Sequence, residues 1–129
     1  WVVVRQLVRN LLLPTAIVGV DTVREADGLA VSSRNGYLSP GERALAPGFY
    51  QALREAVAEA EERGLGAAEL GEVARHRIAE AGLVPEYAEV RQANDLAAVA
   101  DLAGPRVLLA AAHLGDTRLI DNLEFGPAH

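Results

Sequence analysis

The stretch R-V-L-L-A-A-A-H-L-G-D-T-R-L-I-D-N-L-E-F, residues 106–125, decides the fold. Arg106 to His113 is an apolar run, the pattern of a strand covered on both faces, which places it at the centre of a sheet. Arg118 to Phe125 forms the next strand. Leu114-Gly115-Asp116-Thr117 joins the two and is short enough for a hairpin. Upstream, Glu86 to Gln92 alternates, with Ala88 and Val90 on one face and Tyr87, Glu89 and Arg91 on the other. Between these strands, Asn94 to Ala103 reads as a short helical or irregular connection, and Gly104-Pro105 leads back into the sheet.

Further upstream the period changes from two to about four. Ser39-Pro40-Gly41-Glu42 is a helix start: a capping hydroxyl, a proline suited to the first helical position, and a glutamate that completes a capping box. Leu45, Phe49, Leu53, Val57 and Ala60 then form an inward stripe, with Arg54, Glu55, Glu59, Glu61 and Glu62 outward. Pro47-Gly48 interrupts it. A proline there lacks an amide donor and clashes with the preceding turn, so a kink or a restart is expected. Gly64 and Gly66 end this helix. A second helix spans Ala67 to Ala81, with Leu70, Val73, Ala74, Ile78 and Ala81 inward, and Gly82 and Pro85 beyond its end. The class is α+β: a small, largely antiparallel three-stranded sheet packed with two helices.

At the front, Val3, Val4, Leu7, Val8, Leu11 and Leu12 make a helical stripe, with Arg5, Arg9 and Asn10 off it. Pro14 ends that helix, and Thr15 to Val20 reads as a buried strand. A helix followed closely by a buried strand is half of a β-α-β unit. Such a half either belongs to a larger parallel sheet or pairs with later strands of this chain. The first residues resemble neither a signal nor a transit peptide and read as a chain entered in mid-element.

Composition narrows the function. The 129 residues carry a net charge of −6, and all 12 basic residues are arginine. An acidic balance without an arginine run argues against nucleic acid as a partner. There is no cysteine, hence no disulfide, thiolate metal site or thiol nucleophile. Histidines 76, 113 and 129 have no metal-ligand spacing. The longest apolar run, Val107 to Ala112, is too short to cross a bilayer, so no membrane partner and a cytoplasmic location are expected.

The chemistry concentrates in Asp21 to Leu38, a polar, glycine-punctuated segment read as a loop with at most one short strand. Within it, Ser32-Ser33-Arg34 offers two hydroxyls, successive backbone amides and a guanidinium. Phosphate oxygens take that donor set: short donors for single oxygens and a fork-shaped cation that spreads the charge. Taken alone, S-S-R-N-G is most often a surface turn, and either serine can instead cap the loop's own amides.

The longer string G-V-D-T-V-R-E-A-D-G-L-A-V-S-S-R-N-G-Y-L-S, residues 19–39, closely resembles the signature of the pantothenate synthetase (pantoate–β-alanine ligase) family. R-Q-L-V-R-N-L before the first strand and L-G-D-T-R-L-I-D-N near the end agree with it, in the same order. The resemblance implies the C-terminal part of an enzyme that adenylates pantoate with ATP, releases pyrophosphate, and passes the acyl group to β-alanine. It implies residues 1–22 as the last helix and strand of a Rossmann-like nucleotidyltransferase domain, and residues 23–129 as a lid domain carrying a mobile phosphate loop at 31–35. Val23 and Val31 should border the adenine. Ser32, Ser33 and Arg34 should contact the phosphates, with Ser33 and Arg34 catalytic. Mg²⁺ should bridge phosphate oxygens without a ligand from this chain. The family's histidine, glutamine and lysine motifs would lie in a missing N-terminal domain, so the chain alone is expected to be inactive. The family's dimer is also formed there, and an apolar face left open at residues 1–20 would favour association.

Other residues carry structural expectations. Arg24 and Glu25 should pair with each other or across a hinge, and Asp27-Gly28 should turn. Tyr37 and Leu38 should staple the following helix. His76 should be solvated, and His113 hydrogen-bonded in a structural role. Asp121 and Asn122 should satisfy backbone groups at the sheet's end. Two other functions compete: a non-catalytic interaction or assembly module, and an adenylate-forming ligase for a different acid.

Overall fold

A computed structural model describes residues 22–126 of the chain, so the elements expected within residues 1–20 lie outside the described residues. The apolar run becomes the centre of an antiparallel sheet of order β1-β2-β3, with β1 at Val84–Gln92, β2 at Arg106–Leu114 and β3 at Thr117–Phe125. The hairpin turn is only Gly115-Asp116, tighter than four residues, and Gly115 adopts φ 61° to make it. Register sets the faces. Ala88 pairs with Ala110, and Ala110 with Asp121; Val90 pairs with Leu108, and Leu108 with Leu123. Those residues share one face with Ala112 and Leu119, and that face meets the helices. The pairing shifts between Pro85 and Tyr87, beside a proline that has no amide to donate.

Three helices precede the sheet: α1 at Pro40–Leu45, α2 at Pro47–Arg63 and α3 at Ala67–Glu80. The capping box forms as the spacing predicts, with the Ser39 amide donating to Glu42 Oε1 at 2.8 Å and the Glu42 amide to Ser39 Oγ at 3.1 Å. Pro47 restarts the helix instead of kinking it, so the expected first helix is two. That restart corrects the stripe. Ala46 is fully buried at the junction, while Leu45, in the short helix before it, is 46% exposed. Beyond the break, Phe49, Leu53, Val57 and Ala60 are buried as the periodicity predicts. In α3, Leu70, Ala74 and Ile78 are buried, while Val73, and Ala81 just past the helix end, pack only partly against the core. Residues 94–103 are irregular, with Leu96 at φ 61° and a single bridge from Arg91 to Ala98.

The core lies between α2, α3 and the inward face of the sheet, with Phe49, Leu53, Leu70, Ile78 and Leu108 its largest fully buried side chains. Each contributes about 1.5–3 kcal/mol by leaving water. Gly71 lets α3 approach β1 closely: a Cβ there would sit 2.7 Å from the Ala88 carbonyl oxygen. Among the described residues, no helix is long and apolar enough to cross a membrane. Gly71→Ala should therefore lower the denaturant midpoint, because overpacking of about 1–3 kcal/mol outweighs a helix-propensity gain of about 1 kcal/mol. A raised midpoint would show that α3 is free to move away from the sheet.

Candidate functional site

The loop is more ordered than its polar sequence suggests. Residues 23–31 fold back on themselves as a small hairpin, with a bridge between Arg24 and Ala30 and the Val31 amide donating to the Val23 carbonyl at 2.9 Å. Asp27-Gly28 makes the expected turn: Gly28 has φ 97°, and Asp27 Oδ1 accepts from the Leu29 amide at 3.3 Å. Leu29 is buried and fixes the hairpin to the core. Asp27 also receives Arg43 of α1 at 2.7 Å, which holds its carboxyl below the usual carboxylate range.

Ser32 then caps a 3₁₀ turn at Ser33–Tyr37, its Oγ accepting from the Arg34 amide at 3.2 Å. The capping reading of Ser32 is thus correct. It leaves the phosphate reading open, because a hydroxyl that accepts one hydrogen bond still has its own proton to donate. Asn35 Nδ2 closes the turn onto the Ala30 carbonyl at 2.9 Å. Leu38 packs on the core, but Tyr37 is 80% exposed and staples nothing, because the 3₁₀ turn directs it away.

The loop borders a cavity of about 530 Å³ that reaches across β3 to the outward face of the sheet. Val31, Ser32 and Arg34 line it, together with Tyr87, Leu109 and Arg118. Val23 and Ser33 lie outside that lining, though both are exposed beside it. Arg34 has a distinctive environment. Among the described arginines, its guanidinium alone makes no ion pair, hydrogen bond or ring contact with another described residue. An arginine left free beside exposed hydroxyls at a cavity can receive an anion without first breaking an internal pair. Val23 and Val31 are 68% and 53% exposed, so two adjacent apolar side chains are open to a flat apolar ligand.

Two charge clusters were not legible as such. Arg24 does not pair with Glu25; it reaches Asp121 on β3 with two hydrogen bonds of 2.7 and 3.0 Å. Asp121 is correspondingly not a group at the sheet's end but a carboxylate on its inward face, where its Oδ1 also accepts the Asn122 amide at 2.7 Å. A signal was present in the sequence. Leu119, Asp121 and Leu123 share one face of an alternating strand, and an acid among leucines needs a cationic partner. On the outward side, Glu86 accepts from Arg118 at 2.9 and 3.1 Å and meets His113 Nε2 at 3.0 Å. His113 is thus hydrogen-bonded as expected, and His76 is exposed beside Glu80 at 2.6 Å. Among the described residues, no group of three or more histidines or carboxylates could hold a metal ion.

Comparison with known proteins places this geometry. Residues 1–124 match the family described as Pantoate-beta-alanine ligase. The pantothenate synthetase of Shewanella oneidensis is 46% identical over 123 residues, and that of Acinetobacter baylyi 47% over 122. Each alignment takes in 95% of this chain and 43% of the relative, so the chain spans about two fifths of their length. The crystal structure of pantothenate synthetase from Thermus thermophilus superposes with a TM-score of 0.84 at 38% identity, over 98% of this chain and 46% of that one. A pantoate-beta-alanine ligase from Francisella tularensis, complexed with beta-gamma ATP and beta-alanine, gives a TM-score of 0.60 at 25% identity, over 93% and 37%.

The Glu86 cluster yields a pH prediction. Hydrogen bonds from Arg118 first and His113 second lower the Glu86 pKa from 4.5 to about 2. The folded value is the depressed one, so the pair contributes stability above 4.5 and loses it as the pH falls towards about 2. Carboxyl NMR should find Glu86 titrating near 2 and moving back towards 4.5 in Arg118→Gln. A midpoint unchanged by that substitution would break the assignment.

Proposed function

The chain belongs to the pantoate–β-alanine ligase family, and from that premise we propose that it supplies the phosphate-binding loop and the closing face of an ATP-dependent ligase joining pantoate to β-alanine. In this reading residues 1–22 end a Rossmann-like domain and residues 23–129 form the lid. Activity needs the remainder of the site, on the N-terminal side. The observation that carries the reading is the Arg34 guanidinium, without a partner among the described residues, on a cavity that Ser32 also lines and next in sequence to Ser33.

The reaction has two displacements. A carboxylate oxygen of pantoate attacks the α-phosphorus of ATP; a carbon–oxygen–phosphorus link forms as the bond from that phosphorus to pyrophosphate breaks. The β-alanine amine then attacks the acyl carbon, losing a proton to solvent, and AMP leaves as the amide forms. No protein nucleophile takes part. Negative charge grows on the departing pyrophosphate in the first step, and that is where this chain acts. Arg34 can bind two oxygens at once, while the Ser32 and Ser33 hydroxyls each donate to one. Donors fixed in place before the charge develops stabilise the transition state more than the ground state. Val23 and Val31 cover the adenine, for which their exposed side chains are suited.

The chemistry Mg²⁺ would supply, when bound, is charge neutralisation on the polyphosphate. The part this reading gives to the chain's own residues is the donor set of Ser32, Ser33 and Arg34.

In the full-length ligase, Arg34→Ala should slow pyrophosphate release by about 100-fold or more, the scale of losing one oxyanion donor. An exposed side chain with no partner among the described residues should leave the melting temperature nearly unchanged, since such substitutions stay within about 0.5 kcal/mol. Pyrophosphate release at the unaltered rate would remove the phosphate role.

A further inference from the structure

The loop donors are held in place by residues that lie outside the phosphate segment. The Arg24 guanidinium is caught between two elements. Its nitrogens lie 2.7 and 3.0 Å from the Asp121 carboxylate on β3, and its carbon sits 3.5 Å from the centroid of the Tyr50 ring on α2. Nη1 also donates to the Gly28 carbonyl at 3.2 Å, inside the hairpin's own turn. The Asp121 side chain is only 3% exposed and that of Arg24 19%. The Asp121 hydrogen bonds outweigh burial in raising the Arg24 pKa, so the guanidinium stays charged.

A buried ion pair of this kind adds little net stability over an apolar pair of the same shape. A bidentate pair with a stacked ring does fix position, because each contact restricts a different direction. The position passes along the chain. Arg24 is bridged to Ala30, and the Ala30 carbonyl holds Asn35, so both ends of the Val31–Arg34 run are tied to one anchored residue.

We propose that Arg24, Asp121 and Tyr50 form a clasp that positions Ser32, Ser33 and Arg34 for the polyphosphate, acting through the loop and not on the ligand. The proposal rests on the phosphate reading of the loop given above. Without the clasp the donors would still be present, but the displaced loop would present them out of place.

Two measurements test it. The chain has no cysteine, and a Cβ at Gly36 would meet nothing within 4 Å, so Gly36→Cys takes a nitroxide label in the 3₁₀ turn without disturbing its surroundings. The label should give a narrower spectrum, hence faster motion, in Asp121→Asn. The effect should be smaller in Tyr50→Leu and in Arg24→Lys, which keeps the charge and loses the fork. In the full-length ligase the same three substitutions should slow pyrophosphate release in the same order, by about 10- to 100-fold for Asp121→Asn, the cost of a small misplacement. The KM for pantoate should stay within about twofold, because uniform binding is untouched. If Asp121→Asn does not fold, the two milder variants carry both readouts. A spectrum as broad as that of the unsubstituted chain in folded variants overturns the clasp. A narrowed spectrum with undiminished pyrophosphate release overturns the phosphate role of the loop, and with it the purpose assigned to the clasp.

Discussion

Asp121 puts a carboxylate on the face of β3 that packs against the helices, and the surroundings of the loop answer to that charge. A buried carboxylate without a partner would cost several kcal/mol. Arg24 removes that cost by reaching in from the loop, with Tyr50 of α2 behind it. Sheet, helix and loop therefore meet at one guanidinium. A polar segment that would otherwise be a loose connection becomes a hairpin followed by a 3₁₀ turn, closed by Asn35 on Ala30.

The contrast between Arg24 and Arg34 links structure to function. They lie ten positions apart on one loop, yet the first is enclosed by a carboxylate and a ring while the second faces the cavity with nothing described against its guanidinium. Arg118, which lines the same cavity, is held by Glu86. Charges engaged with described partners give shape, and the proposed function assigns binding to Arg34. Beneath the loop the helices pack through small residues: Ala52, Ala56 and Ala60 on α2 and Ala74 on α3 are buried, and Gly71 brings α3 against the Ala88 carbonyl.

Much of this was legible in the residues. The apolar run at 106–113, the alternation at 86–92 and the capping box at Ser39 each express one local rule, and each forms the element expected. The misreadings share a cause, which is that tertiary partners decide them. Pro47 is plain in the sequence, but whether it kinks or restarts a helix depends on what Ala46 packs against, and burial of Ala46 turns Leu45 outward. Tyr37 has the position of a staple, yet the 3₁₀ turn directs it to solvent. The loop serines and Arg34 stand out by residue type and by resemblance, whereas the Arg24–Asp121 pair spans 97 positions and has no local signature beyond an acid among leucines.

Contact between the loop and ATP is the point on which the functional reading turns, and it can be measured without turnover. Hydrogen–deuterium exchange of the full-length ligase, with and without a non-hydrolysable ATP analogue, reads the amides of residues 31–35 directly. The expected result is slowed exchange at 31–35 on adding the analogue, with the amides of α3 unchanged. Identical exchange at 31–35 with and without a saturating analogue would contradict the assignment of the phosphate site to this loop.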